Sequence, residues 1–525
     1  MSDLLPAAKN LKVLQSVGPA SKTVLARLDQ LIIVTPPKLA ESAWRGVPDG
    51  PRLSRLARRL DKEKSVTSRL QNPRATGICL RRLPAAAKGG TSSAQFDAFK
   101  LLRFAGQLVA DALRDEPRSL GLIIVGLSAE VTESVAHAVV LAAAAHSFQM
   151  PAYRSKAKKR PQLRTLHLLH LPARIDLQRT LAEAAALNLA RWLTSLPPNK
   201  LSAAGYRDVL QDLAKTHGWT MDFFGIARLR KLGAGAFMAV AQGNANQDAG
   251  IVHLRYAPPG RKTRKGGKLA LVGKGIIFDT GGTNLKPFKS MLDMHQDMGG
   301  SAVAVATLQA LTEIDYPFPV DCWLAITENR IGAKAYKSRD VVTALNGTTI
   351  EVIHTDAEGR MALADTLALA GRDEPDLIVD YATLTGTCFH ALTDRYSGVF
   401  SNRSVLNSLL IDTGVACGER VWPFPMDADY EEELKSSLAD ILQCSIGGEG
   451  DHILAARFLK RFVPKKSAWI HVDLSAVTRK GGLAQVPSGT TGFGVRFTMN
   501  LLLEQADKLN RLLGKNIGAG QRPTD

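Results

Sequence analysis

Cysteine is scarce in this chain. Five cysteines, at positions 79, 322, 388, 417 and 444, are spread over 525 residues with no CxxC pair. An odd, sparse set argues against a disulfide scaffold or a zinc finger and fits free thiols in a reducing, cytoplasmic setting. Long apolar runs are missing too: no stretch reaches 18 apolar residues, which argues against a membrane span. The longest alanine-rich run, AVVLAAAAHSF (138–148), is short, has polar flanks and reads as a buried helix. The opening MSDLLPAAKNLKVLQ has an early acid and no h-region, unlike a secretory signal. There is no internal repeat and no low-complexity tract. The hydrophobic fraction of 45% and charged fraction of 22% are those of a folded chain, and its length predicts two or three domains.

Acid is under-represented. Lys and Arg number 67 against 49 Asp and Glu, a formal net charge of +18. The excess gathers in three clusters: Arg52, Arg55, Arg58, Arg59, Lys62 and Lys64; Arg154, Lys156, Lys158, Lys159, Arg160 and Arg164; and Arg261, Lys262, Arg264, Lys265 and Lys268. Such clusters attract nucleic acid or an acidic partner, or simply face water. No aromatic residues are interleaved to stack bases, which weakens a single-strand reading.

The pattern that is present is strand–helix alternation. LIIVTP (31–36), TGICLRRL (76–83), LGLIIVGL (120–127) and LRTLHLLHL (163–171) are strand candidates, with a helical pattern over 93–113 between them. PAYRSKAKKRPQ (151–162) reads as an exposed loop, and the tail GKNIGAGQRPTD as mobile. A long helix over 176–196 stops at Pro197-Pro198, since proline cannot continue it. Beyond it come IVHLRYA (251–257), KLALVGKGIIF (268–278), DCWLAITE (321–328), TTIEVIH (348–354), DLIVDYATL (376–384) and AWIHVDL (468–474), with helices over 300–314 and 361–372. The expectation is an α/β chain of two domains, residues 1–172 and 173–525, each a mainly parallel sheet flanked by helices, the larger C-terminal one catalytic.

In such sheets sites form outside the carboxyl ends of the strands. Two stretches put unusual charge there. In VGKGIIFDTGGTNLKP, Lys274 interrupts an apolar strand, Asp279 ends it, Gly281-Gly282 permit a tight path and Lys286 follows; MLDMHQDMGG then places Asp297 before a glycine pair and a helix. In HTDAEGR, an extended chain would point Asp356, Glu358 and Arg360 to one side, and Gly359 would let the backbone approach a ligand. Four carboxylates gathered in a partly dry pocket repel strongly, and divalent metals relieve this; pairs of metals about 3.5–4 Å apart are a known arrangement for hydrolysis. Oxygen ligands with no histidine in either motif core suit manganese or magnesium, and also zinc. Each residue has a plainer use: a strand-end aspartate as cap or turn, a strand lysine snorkelling to solvent, Arg360 pairing with Asp365 or Glu358. Residue reasoning alone therefore reaches a candidate binuclear metal site.

These segments closely resemble the leucyl aminopeptidase family of binuclear metallopeptidases, whose signature NTDAEGRL reads HTDAEGRM here; DYATLTG (380–386), LGAGAFMAVAQG (232–243) and AWIHVDLS (468–475) match as well. The resemblance covers about residues 175–500 and implies the following. Lys274, Asp279, Asp297 and Glu358 would hold one metal ion, and Asp279, Asp356 and Glu358 the other. The ions would be manganese or zinc, with magnesium or cobalt as alternatives, two per subunit. Lys274 would be neutral, Lys286 would steady the oxyanion, and Arg360 would hold a bicarbonate acting as general base. Met294, Thr383 and Gly386 would line the pocket for the first side chain, with a leucine-like preference. Peptides would be the substrates, and the assembly a homohexamer. Two departures stand out. His354 replaces the usual asparagine on the leaving-group side, and GEGDHILAARFLKRF (448–462) carries Asp451 and His452 where the family is small and threonine-bearing. The competing expectation is a nucleic-acid or ribonucleoprotein binder using the basic surface, with or without peptidase activity.

Overall fold

The structure is a computed structural model that describes residues 4–6, 11–84, 97–156, 162–258 and 267–519. It divides into two compact units. The smaller holds residues 7–185 and 481–488, and the larger holds 1–6, 186–480 and 489–525. The division falls inside the helix Gln178–Thr194, and residues 481–488 join the smaller unit, a return that no composition shift announces.

In the smaller unit the strands are β1 (Lys12–Val17), β2 (Gln30–Thr35), β3 (Val66–Arg69), β4 (Gly77–Arg82), β5 (Ser119–Ile124) and β6 (Thr165–Leu171). Their order is β1-β6-β5-β2-β4-β3, parallel except for β3 against β4. The central strands are continuous apolar runs because both faces are covered. One face packs under the helices Ala98–Ala112 and Ala129–Ser147, each started by a side-chain cap from Asp97 and Ser128. β1 and β3 lie at the sheet edges and carry mixed polar residues, so their periodicity is weak.

The larger unit adds β7 (Thr220–Gly225), β8 (Gly250–Tyr256), β9 (Leu269–Asp279), β10 (Val320–Asn329), β11 (Val341–Thr343), β12 (Thr349–Glu351), β13 (Leu377–Ala382), β14 (Ser397–Ser401), β15 (Val421–Pro423), β16 (Ile441–Leu442) and β17 (Ala468–Asp473). Eight of these form one sheet in the order β15-β14-β17-β13-β9-β10-β8-β7. Its centre, β17-β13-β9-β10, is parallel, and antiparallel pairs occur on both flanks. One strand expectation is corrected. TTIEVIH is no part of this sheet: only Thr349–Glu351 pairs, in a separate three-stranded sheet with β11 and β16. HTDAEGR therefore leaves a short strand of that small sheet and not the carboxyl end of a main one.

The alternation of β9 sets up the site. Gly273 and Gly275 face Ser301, on the helix Gly299–Glu313. Lys274, between them, points to the opposite face, against Gly359 on the helix Glu358–Ala370. Two helices thus bring Asp297 and Glu358, at or just before their first turns, to the end of the same strand.

Candidate active site

Two lysines organise four carboxylates. Lys274 Nζ lies 2.8 Å from Asp297 Oδ1 and 2.9 Å from Glu358 Oε1, and donates to the Thr383 carbonyl at 2.9 Å. Lys286 Nζ lies 2.9 Å from Asp279 Oδ2 and 2.5 Å from Asp356 Oδ1. The two differ in enclosure: the Lys274 side chain is 3% exposed and that of Lys286 14%. Lys274 does not snorkel; its stem is walled in, and its charge is met inside the fold.

The turns that present these groups follow from local sequence. Gly281 and Gly282 have φ of 87° and 64°, the left-handed region that favours glycine. That path lets Asp279 Oδ1 accept from its own loop at Gly281 N (2.8 Å) and from Asn329 Nδ2 (2.7 Å). Thr355 Oγ1 donates to the Gly281 carbonyl, joining the two motifs. The chain through His354–Ala357 is a turn, not the extended run expected, and the helix starts at Glu358. Glu358 and Arg360 thus sit on a first helical turn. Gly359 serves close packing against Lys274: a Cβ there would meet Nζ at 2.7 Å.

Burial and mutual repulsion shift Asp297, Asp356, Glu358 and both lysines. Desolvation, then repulsion from Glu358 and Asp279, raises Asp297 above the usual carboxylate range against the pull of Lys274. Asp356 is raised by desolvation and by Asp279 and Glu358. Glu358 is raised by burial and by Asp279. Burial alone would lower both ammonium groups, but the carboxylates outweigh it and hold Lys274 and Lys286 above their ordinary value. The cluster carries more negative charge than two lysines satisfy. Asp297 Oδ2 and Glu358 Oε2 are buried without a hydrogen-bond partner. Asp279, Asp356 and Glu358 each offer an oxygen within 4.8 Å of the others, the one such group among the described residues able to hold an ion. The donor set fits divalent cations.

Other expected residues fall out differently. Thr383 donates its hydroxyl to Asp297 Oδ1 at 2.7 Å, leaving its methyl as the apolar face. Met294 is half-buried one turn before Asp297, and Gly386 is exposed, with nothing within 4 Å of a Cβ built on it. His354 is exposed, and its Nδ1 accepts from Asp356 N at 3.2 Å. Desolvation and the Lys286 and Arg360 cations hold its ring below its ordinary value. Arg360 pairs with neither Asp365 nor Glu358. Its Nη2 lies 2.6 Å from Asp451 Oδ2, and its Nη1 donates to the Gln443 carbonyl at 3.2 Å. The structure places a carboxylate of the chain where the resemblance implied bicarbonate. His452 packs edge-on against Phe424, 4.4 Å between centroids, and hydrogen-bonds Thr387, so it is a packing residue.

Sequence reading missed three residues. Asn329 ends β10 and orients Asp279; the one signal was its place at a strand's carboxyl end. Gln443 accepts from the Ile353 and His354 N–H groups and donates to the Ala357 carbonyl, fixing the turn. Asp473 ends β17, receives Leu384 N and Thr385 Oγ1, and so holds the chain after Thr383.

A profile of the cytosol aminopeptidase family, catalytic domain, matches residues 188–499. The chain belongs to this family. A probable cytosol aminopeptidase of Parasynechococcus marenigrum is 39% identical over 414 residues, covering 77% of this chain and 83% of its own. Among solved structures, a tomato leucine aminopeptidase variant superposes with a TM-score of 0.78 at 28% identity, covering 94% and 96% of the two chains. The bottromycin maturation enzyme BotP in complex with Mn gives 0.75 at 30% identity, covering 93% and 99%. As a cytosol aminopeptidase family member the chain is a metal-dependent peptide hydrolase of the leucyl aminopeptidase type. No described helix is long and apolar enough to cross a membrane.

The basic clusters are described only in part. In the first, Arg52 pairs with Asp49, Arg58 with Glu41 and Arg59 with Glu63. Lys158, Lys159 and Arg160 of the second, and Arg261, Lys262, Arg264 and Lys265 of the third, lie outside the described residues. So does 157–161 of the expected exposed loop, and 520–525 of the tail.

Proposed function

We propose that this protein releases N-terminal amino acids, leucine-like ones preferentially, from peptides by a hydrolysis that depends on two bound divalent ions. The observation that carries this is the pairing of surplus buried carboxylate oxygens, on Asp297 and Glu358, with a two-lysine, four-carboxylate cluster at the end of β9. Lys274, Asp279, Asp297 and Glu358 would hold one ion, and Asp279, Asp356 and Glu358 the other. Bound there, the ions would neutralise the carboxylates, acidify a water and polarise the scissile carbonyl. Their charge would also reverse the sign at Lys274, which must be neutral to act as a ligand.

The chain's own groups do the rest. Lys286, the more open of the two lysines, donates to the carbonyl oxygen as negative charge develops on it. Met294, the methyl of Thr383 and the open wall at Gly386 receive an apolar first side chain, methionine adapting to its shape. His354, neutral at pH 7, faces the leaving-group side. The guanidinium of Arg360 is already matched by Asp451 and Gln443, so bicarbonate does not fit it as the resemblance implies, and no step is drawn through that ion. Family membership supports extending the reading to a cytoplasmic homohexamer, which light scattering checks for assembly.

The test is hydrolysis of leucine p-nitroanilide and a dipeptide panel after dialysis against chelator. Manganese, zinc, magnesium or cobalt is then restored singly. Activity recovered with a metal, highest on leucine, is expected. A folded protein that stays inactive with all four metals would overturn the reading.

A further inference from the structure

The segment 448–462 stood out in the sequence and has no place in the chemistry above. Its Asp451 opens the helix Asp451–Lys460, so its carboxylate lies at the positive end of a helix dipole. One oxygen, Oδ2, is 2.6 Å from Arg360 Nη2. The other, Oδ1, is buried and has no hydrogen-bond partner. Arg360 itself is buried, two residues after Glu358 on the same first helical turn, with Nη1 on the Gln443 carbonyl. The ring of His354 lies within electrostatic reach of Lys286, Arg360 and Asp451.

A planar anion grips a guanidinium through two neighbouring N–H groups. Both forks of Arg360, Nε with Nη2 and Nη1 with Nη2, include the nitrogen that Asp451 engages. A carboxylate tethered to the chain acts at an effective concentration that a free anion must match to displace it. The carboxylates of Asp279, Asp297, Asp356 and Glu358 are spoken for as ligands. That leaves Asp451 as the carboxylate beside the cluster with an oxygen free to take a proton.

We propose that Asp451, held by Arg360, is the general base of this enzyme and supplies from within the chain the carboxylate that the family resemblance assigns to bicarbonate. The inference rests on the aminopeptidase reading. An O–H bond of the attacking water breaks and its proton passes to Asp451 Oδ1, while the water oxygen bonds to the carbonyl carbon and the carbonyl π pair moves to oxygen beside Lys286. When the tetrahedral centre collapses, the C–N bond breaks and the proton passes from Asp451 to the leaving nitrogen. The carboxylate is regenerated and no further reactant is needed. Arg360 is then a positioning residue.

The experiment compares wild type, Asp451→Ala and Asp451→Asn, each loaded with the preferred metal, in carbonate-free buffer with and without added bicarbonate or formate. Wild type is expected to show full kcat without bicarbonate and no response to it. Asp451→Ala is expected to lose about 100-fold or more in kcat with little change in KM, the scale of a lost general base, and to regain activity with bicarbonate. Asp451→Asn, isosteric and unable to accept the proton, is expected to stay low, because its amide occupies the anion's place. Calorimetric titration with bicarbonate gives a readout apart from turnover: binding to Asp451→Ala and none to wild type. Wild-type activity that depends on bicarbonate would overturn the proposal. So would Asp451→Ala at wild-type kcat without bicarbonate, or a folded, metal-loaded Asp451→Ala that neither anion rescues. Failure of the aminopeptidase reading looks different: wild type itself would be inactive with every metal.

Discussion

Gly359 and Lys274 stand in a relation that leaves no room for a methyl group. A Cβ on Gly359 would lie 2.7 Å from Nζ, 2.8 Å from Cε and 2.9 Å from Leu384 Cδ1. A lysine end can usually step aside, but this one is fixed by Asp297, Glu358 and the Thr383 carbonyl. Gly359→Ala should therefore dislodge Lys274 from its partners, at a packing cost of about 1–3 kcal/mol. The expected result is a folded protein with less bound metal and lower kcat. Metal analysis of the purified variant settles it: wild-type metal content and turnover would refute the tight fit.

Lys286→Met should separate chemistry from binding. Losing one donor to a developing oxyanion costs roughly 100- to 1,000-fold in kcat. KM and metal content should hold, because the ligand carboxylates remain. Asp356→Ala should instead lose metal along with activity. Equal metal loss in both variants would contradict the division of roles between the lysine and the carboxylate.

His354→Asn probes the departure in the signature. Burial and the neighbouring Lys286 and Arg360 cations favour the neutral ring, so its proton is gained only below the ordinary histidine range. An acid-side inflection in kcat/KM below pH 6.5 should be present in the wild type and absent from the variant, with a changed preference for the second residue of dipeptides. Superimposable pH profiles and dipeptide preferences would remove His354 from the leaving-group side.

Asp365 gives a pH dependence of stability away from the reaction. It is buried, accepts from Phe237 N and Leu345 N, and desolvation pushes it up to about 6 against those hydrogen bonds. A raised folded-state value means its stabilising share is full below the unfolded value near 3.8 and fades as pH rises through 6. Asp365→Ala should accordingly destabilise more at pH 4.5 than at pH 7, by about 2 kcal/mol from a shift of this size. Urea unfolding at the two pH values measures it; an equal penalty at both would contradict the buried, protonated state.

The central strands of both sheets were legible because burial on two faces makes them continuous apolar runs, as in LIIVTP and KLALVGKGIIF. β1, β3, β7 and β15 were not: they are edge strands, short or mixed in polarity, and hold their place by pairing. TTIEVI misled because β-branched residues mark a strand without saying which sheet it joins. Lys274, Asp279, Asp297, Asp356 and Glu358 were readable as chemistry, since charge in an apolar setting is costly unless used. Asn329, Gln443 and Asp473 were not, because each acts through contacts made far along the chain, which no local spacing encodes. The pairing of Arg360 with Asp451 spans 91 positions and belongs to the same class.

The pocket is assembled from two heritable pieces. The candidate metal donors all come from one stretch, Lys274 to Glu358, while the groups that hold Arg360, at Gln443 and Asp451, come from another. Mutation can therefore rewrite how protons are handled without touching the ligands. A lineage could trade dependence on a dissolved anion for a built-in base by changing a single codon, and keep its metal chemistry intact throughout.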